Sequence, residues 1–192
     1  ERAYILYDLN RPDEAREAFG LSIAARESGA WNVSQVINFA TMLISEQRSR
    51  DALEVVRTVG ASSPYGDMWI AAVRVCAAAQ LGDAALQATS MAFLREHAED
   101  NISALARASL CVNDLDAAAA LYIQRLNDPD KRSSALLALQ RYESSPVEAL
   151  PYDTVLRQRM ERVRERPDVQ AAVAEFGRIE HVPLRAVYWG DL

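Results

Sequence analysis

The sequence contains few residues that interrupt helices and few aromatic side chains. Its 192 residues include 7 Gly and 7 Pro, and Phe, Trp and Tyr together reach only 7%. Most of the Gly and Pro residues lie between periodic apolar runs, so the signals of strands joined by tight turns are sparse. Alanine, the best helix former, takes about a sixth of the chain. The composition therefore predicts an all-α fold.

A basic surface and a long apolar run are both missing. The net charge is −6, whereas nucleic-acid binding needs a clustered basic face. No segment approaches the roughly 18 apolar residues of a membrane span. We therefore expect neither nucleic acid nor a membrane as a partner. The basic residues cluster only in a stretch where Glu161 and Glu165 interleave, which predicts a solvated face of a closing helix; they are Arg157, Arg159, Arg162, Arg164 and Arg166.

Catalytic motifs are missing as well. The two histidines, His97 and His181, lie far apart and next to loop or helix ends. The chain has no HExxH, no GxSxG, no phosphate loop and no GxGxxG. Its carboxylates stand at helical surface spacing, which is typical of solvated faces. The sequence predicts no catalytic residue, no cofactor and no metal site.

The two cysteines, Cys76 and Cys111, lie in different apolar helical runs without a CxxC or other paired spacing. This pattern favours buried free thiols over a disulfide or a metal ligand. It favours a reducing compartment, the cytoplasm. The chain starts at Glu1 within a helical pattern, which leaves a removed signal peptide or an upstream domain open.

The chain contains an internal repeat. Ala52, Ala85 and Ala118 each lie near the start of an amphipathic run and are 33 residues apart. The small residues of the preceding runs keep the same spacing, and an earlier copy, displaced by 37, carries the first pair of small residues. These further positions are Ala40, Val73 and Ala106, and Ala3 and Ala15. We expect close helix crossings at these alanines, with no room for a larger side chain.

The four units read AYILYDLNRPDEAREAF, ATMLISEQRSRDALEVV, VRVCAAAQLGDAALQAT and ARASLCVNDLDAAAALY. They resemble the tetratricopeptide repeat over roughly residues 1–132. Trp69 falls at that family's tryptophan position, Pro64 at its closing proline, and Phe19 and Tyr122 at its late aromatic. The Gly-Asp turn that the family favours occurs once, at Gly82–Asp83, two residues late in the frame that Ala85 sets.

The resemblance implies an α-solenoid of antiparallel helix pairs, a right-handed superhelix, over residues 1–143. Its repeats would span about 1–29, 33–65, 66–98 and 99–131, with a partial unit at 132–143. Residues 144–180 would be helices that cap the stack, because a solenoid must cover its exposed apolar end. Residues 181–192 would form an extended tail.

Local signals predict where several helices begin. Pro12, followed by two acids, suits a first turn. Asn32 with Gln35 resembles a capping box, as does the run from Ser145 to Glu148. Asn113–Asp114 supplies cap candidates for a helix at 114–127.

The resemblance also implies a concave groove lined by the first helix of each pair. The position just after the small residue of that helix is Thr41, Arg74 and Arg107, and the two arginines would stand one above the other. They could hold an acidic side chain or a C-terminal carboxylate bidentately. The alternative is that each arginine only pairs with a neighbouring acid. Further groove positions would be Tyr4, Tyr7, Asp67, Ile70, Asp100 and Ser103.

The tail HVPLRAVYWGDL carries five large apolar side chains without a helical pattern: Val182, Leu184, Val187, Tyr188 and Trp189. Such residues are seldom left in water. We expect the tail to fold back over the last helices, the alternative being a contact with a partner. Self-association through the tail or the terminal helices is a further alternative.

The resemblance implies a protein-interaction or scaffold module that binds a peptide or a partner protein in its groove. The chaperone-tail clamp of some family members is not matched. The alternative is the sensing region of a larger bacterial regulator whose output domain lies upstream. An enzyme comes third.

Overall fold

The computed structural model describes residues 2–24, 32–60, 62–143 and 149–185. Helices take 74% of these residues, which confirms the all-α prediction. In the described part of the chain there are eleven helices and two short strands. They are α1 Arg2–Asp8, α2 Pro12–Ala24, α3 Val33–Ser45, α4 Ser49–Arg57, α5 Pro64–Leu81, α6 Ala84–Glu96, α7 Ile102–Cys111, α8 Leu115–Asn127, α9 Arg132–Leu139, β1 Arg141–Glu143, α10 Pro151–Arg164, α11 Pro167–Ala174 and β2 His181–Arg185.

Most helix starts carry the capping chemistry that their sequence supplies. Pro12 is the first residue of α2, and its fixed φ and missing N–H suit that place, as predicted. Asp114 caps α8 by accepting the N–H of Ala117 at 3.0 Å, also as predicted. Asn32 precedes α3 but does not cap it: its amide nitrogen donates to the Ser22 carbonyl, so the expected capping box is wrong. The other expected box, at 145–148, lies outside the described residues.

One turn geometry recurs four times, between α1 and α2, α3 and α4, α5 and α6, and α7 and α8. Each turn contains a residue in the left-handed region, and the next N–H donates to the carbonyl five residues back, which satisfies the end of the first helix. Glycine and asparagine tolerate this conformation best, and three of the four turn residues are of those types. They are Asn10, Gln47, Gly82 and Asn113, with φ of 57°, 60°, 71° and 59°.

These turns correct the 33-residue spacing. Successive turn residues lie 37, 35 and 31 positions apart, because the helices between the turns and the segments that join those helices differ in length. Ala52 and Ala118 each lie five positions after a turn residue and are fully buried. The residue five positions after Gly82 is Gln87, and Ala85 is exposed. Ala85 therefore does not mark a helix crossing, and the alignment through it was two residues out of register.

The helices pack in chain order. α1 contacts α2, α3 contacts α4, α5 contacts α6 and α7 contacts α8. The second helix of each of these pairs also contacts the helix that follows it, and α5 contacts both α3 and α7. A continuous apolar core extends from α3 to α11, and smaller clusters lie between α1 and α2 and around α5, α6 and α7.

The C-terminal helices attach to this core at more than one place. α11 packs on α8, whereas α10 contacts α3, α7 and α8. Ser45, the last residue of α3, donates to the Asp153 carboxylate of α10 at 2.6 Å. The predicted solvated basic face of α10 is wrong at Arg164, which is 7% exposed. Its guanidinium donates to the last carbonyls of α9, of Leu139 and Ala138, so it satisfies the end of that helix.

The two strands bring the start of the tail back to the end of α9. β2 runs parallel to β1, with Arg141 opposite His181 and Tyr142 opposite Val182. Residues 181–185 thus pair with β1, but Leu184 is 67% exposed. At Leu184 the expectation that the tail covers the last helices is wrong. The aromatic part of the tail, Tyr188 and Trp189, lies outside the described residues.

Candidate binding recess

A small recess opens where α3, α5 and α7 come together. The recess, as the term is used below, is the space lined by Thr41 and Ile44 of α3, by Arg107 of α7, and by Trp69, Ala72, Val73 and Cys76 of α5. Residues three, four and seven positions apart share one face of a helix, which is why α5 contributes this set. Ala72 has a small side chain, which leaves space between neighbouring helices.

The turn register explains why these residues meet. Thr41, Cys76 and Arg107 each lie six positions before the left-handed residue that ends their helix. They are therefore counterparts in three successive helices, and all three line the recess. The counterpart in α1 is Tyr4, which packs edge-on against Phe19 at a centroid distance of 5.5 Å.

The recess suits one side chain better than a larger molecule. The cavity volume of the recess is about 20 Å³, which is room for about one water molecule or the tip of one side chain. The lining is apolar apart from a hydroxyl, an indole N–H and a guanidinium. The Thr41 hydroxyl already donates to the Ile37 carbonyl at 2.9 Å. The charged side chain of the lining is Arg107.

Arg107 is an arginine within the core, with 4% of its surface exposed. The buried charged residues of the described part of the chain are all arginines: Arg107, Arg125 and Arg164. The charge of Arg107 also acts on Tyr152 of α10. Burial raises the pKa of the Tyr152 hydroxyl, and the positive charges of Arg159 and Arg107 lower it in part. Arg107 therefore brings a guanidinium to the wall of the recess.

The cysteines form a disulfide, which corrects the prediction of two free thiols. Cys76 of α5 and Cys111 of α7 are bonded, with their Cα atoms 5.0 Å apart. That separation is within the range a disulfide can bridge. Cys111 also lies one helical turn after Arg107, so the bond fixes the Arg107 face of α7 against the recess wall of α5.

The disulfide also changes the inference about the compartment. Such bonds persist mainly in oxidising environments. The preference for a reducing compartment rested on free thiols, so it loses its support.

The other predicted groove residues lie in different surroundings. Arg74 is exposed on α5, two positions before the register that Thr41, Cys76 and Arg107 share, and it does not line the recess. Ile70 belongs to the core, and Asp67 is half-buried in the first turn of α5. Before and at the start of α7, Asp100 is exposed and Ser103 is half-buried.

Tyr7 is part of the packing between α1 and α2 instead of an open surface. It is 9% exposed. Burial raises its pKa to about 12, and the nearby carboxylates of Asp153 and Glu46 add to the rise.

The expected solvated histidine is where the sequence places it. His97 ends α6, and its ring nitrogen lies 3.6 Å from the Asp100 carboxylate at the protein surface. Within the described residues, no group of three or more His, Cys, Asp and Glu side chains could hold a metal ion. No helix among them has the length and apolar character needed to cross a membrane.

Sequence reasoning missed five of the lining residues: Ile44, Trp69, Ala72, Val73 and Cys76. Trp69 had a signal, since it matched a repeat-family position. Cys76 could have been found only by counting back from the left-handed turn residue, and the alignment at 33-residue spacing placed Arg74 at that position instead. Comparison of the chain with protein-family models, with curated proteins and with solved structures found no match.

Proposed function

We propose that this chain is a protein-interaction module of the tetratricopeptide type, and that the recess holds one carboxylate-bearing residue of a bound peptide. The observation that carries the proposal is that counterpart positions of α3, α5 and α7 line one recess with a guanidinium in its wall. In a right-handed stack of antiparallel helix pairs, those first helices would line the concave groove.

The packing order of the helices supports the repeat architecture. Each of α2, α4, α6 and α8 contacts its own partner and the next first helix, and α3, α5 and α7 contact in sequence. The four equal turns supply a repeated structural unit even though the spacing varies from 31 to 37 residues. Both features are what a stack of helix pairs requires, because one pair alone cannot cover its apolar stripe.

The chemistry of the recess selects the ligand group. A planar guanidinium offers two parallel N–H donors that match a carboxylate, and a charge-assisted pair is stronger in a site with little water. Trp69, Val73 and Ile44 surround it with apolar surface. An acidic side chain or a C-terminal carboxylate next to an apolar residue would meet both kinds of surface.

The test is binding of the full chain to a library of acetylated hexapeptides, each made with a free and with an amidated C-terminus. We expect micromolar binding (roughly −8 kcal/mol) of members that carry a carboxylate. If only the free C-terminus binds, the ligand group is the chain terminus; if both forms bind, it is an acidic side chain. If no member binds more tightly than about 1 mM, the proposal is wrong.

Two arginine variants give the matched comparison. Arg107→Lys keeps the charge but loses the bidentate geometry, and we expect it to weaken binding about tenfold. Arg74→Ala removes an exposed charge outside the recess, and we expect binding close to that of the wild type. Thermal unfolding of each variant separates a lost contact from a lost fold. Equal binding by Arg107→Lys and the wild type would exclude Arg107 as the carboxylate partner.

A further inference from the structure

We propose that the Cys76–Cys111 disulfide regulates the recess: the oxidised chain binds its carboxylate-bearing peptide, and reduction by a dithiol weakens that binding. The inference rests on the proposed function, because the ligand that it regulates is the peptide proposed there. The bond belongs to the site itself, since Cys76 lines the recess.

The disulfide sets the distance between two walls of the recess. Trp69 and Cys76 belong to α5, and Arg107 lies on α7 one turn before Cys111. Two thiol sulfurs cannot stay at bonding distance, so reduction moves the side chains, or the helices that carry them, apart. A bidentate carboxylate contact is sensitive to such a shift, because its two hydrogen bonds need a fixed geometry.

A second attachment keeps α7 in place after reduction. The carbonyl of Cys111 accepts the Tyr152 hydroxyl at 3.1 Å and the Arg159 guanidinium at 2.7 Å, both from α10. Arg159 also donates to the Leu110 carbonyl at 2.7 Å. These bonds do not depend on the disulfide. Reduction therefore loosens the recess while the end of α7 stays bound to α10.

The recess is also the place where a reductant meets the bond. Cys76 and Cys111 are 3% and 2% exposed in total, so access to the bond is small, and Cys76 is the cysteine that lines the recess. A dithiol thiolate attacks the Cys76 sulfur, forms a mixed disulfide and expels the Cys111 thiolate, which takes up a proton. The second thiol of the reductant then closes on the first and releases Cys76 as a thiol. Two electrons and two protons pass to the cysteines, and the dithiol leaves as a cyclic disulfide.

Thermodynamic linkage makes the proposal quantitative. If reduction weakens the peptide by about tenfold, a saturating peptide must favour the oxidised form by the same factor. For a two-electron couple this lowers the reduction potential of the disulfide by about 30 mV. The bound peptide should also slow the reduction, because it covers Cys76.

The experiment uses the full chain, the tightest hexapeptide of the library above as the probe, and dithiothreitol as the dithiol. We expect the Kd to rise about tenfold on reduction. The Cys76→Ala/Cys111→Ala variant should show the weaker affinity with and without dithiothreitol. A redox titration read by thiol alkylation and mass spectrometry should show the matching shift in potential. Equal affinities of the two forms, with no shift, would overturn this inference and leave the proposed function standing.

A measurement without a ligand tests the recess directly. The chain has three tryptophans, and the variant Trp31→Phe/Trp189→Phe keeps only Trp69, whose indole fluorescence is then measured. We expect reduction to increase acrylamide quenching of Trp69, and to leave quenching unchanged once both cysteines are alanine. Unchanged quenching on reduction would contradict the proposed loosening. Failure of every peptide to bind either form would instead overturn the proposed function and, with it, this inference.

Discussion

The disulfide offers the sharpest test of the packing of α5 against α7. Replacing Cys76 and Cys111 by alanine together removes the covalent link without adding a polar group to the core. The two cysteines are 35 positions apart in the chain. In the chain-entropy description, a link that closes a loop of that length restricts the unfolded chain by about 4 kcal/mol of free energy. The double variant should be less stable by about that amount.

The expected loss of free energy also predicts how far the melting temperature falls. A chain of this length gains roughly 0.4 kcal/mol per kelvin of entropy on unfolding, so a loss of about 4 kcal/mol lowers Tm by about 10 °C. Urea and thermal unfolding followed by far-ultraviolet circular dichroism measure both quantities. The wild type in dithiothreitol is the matched control and should unfold with the double variant.

A small loss of stability in the double variant would contradict this prediction. If the double variant unfolds within about 1 kcal/mol of the oxidised wild type, the bond does not restrict the unfolded chain as the structure implies. A double variant that is less stable than the reduced wild type would instead show an additional cost of the missing sulfur atoms in the core.

Three further changes test other parts of the fold. Ala118→Leu should lower the free energy of unfolding in urea by about 1–3 kcal/mol, because Ala118 is fully buried. Ala85→Leu, at an exposed position, should change it by less than about 0.5 kcal/mol. Equal effects of the two variants would support the 33-residue register. Arg164→Met leaves the last carbonyls of α9 without their donor and should cost about 2–3 kcal/mol, against little for the exposed Arg162→Met; a neutral Arg164→Met would argue against that capping role. Folding raises the pKa of the Tyr7 hydroxyl from 10.0 to about 12. The protonated hydroxyl therefore contributes stability that is present below pH 10 and is lost as the pH rises towards 12. Tyr7→Phe should flatten the fall of stability with pH in that range, and an unchanged slope would contradict the raised pKa.

The fold class could be predicted because it depends on local properties. Abundant alanine, amphipathic runs and helix caps such as Asp114 act within a few residues of the chain, and the structure confirms the helices they indicate. The exact spacing could not be predicted in the same way. α5 is longer than its counterparts, and the hydrogen bonds that define each turn become visible only when the helix ends are known. Aligning alanines therefore shifted α5 by two residues.

The recess, too, could be predicted from the sequence only in part. Thr41 and Arg107 were named from the repeat pattern, and the structure places both at one recess. Arg74 was named by the same spacing, but it is exposed and does not line the recess. The disulfide could not be inferred, because 35 positions of sequence separation do not tell that two Cα atoms lie 5.0 Å apart. Pairing of cysteines is a property of tertiary packing.

The region beyond the repeat resemblance has a direct bearing on the recess. α10 binds the end of α3 through Asp153 and Ser45, and the end of α7 through Arg159 and the Cys111 carbonyl. Those two helices carry Thr41 and Arg107, which both line the recess. Because α10 holds both helix ends, it helps to set the separation of the recess walls together with the disulfide. α10, which the sequence indicated as part of a cap, thus supports the helices that form the recess.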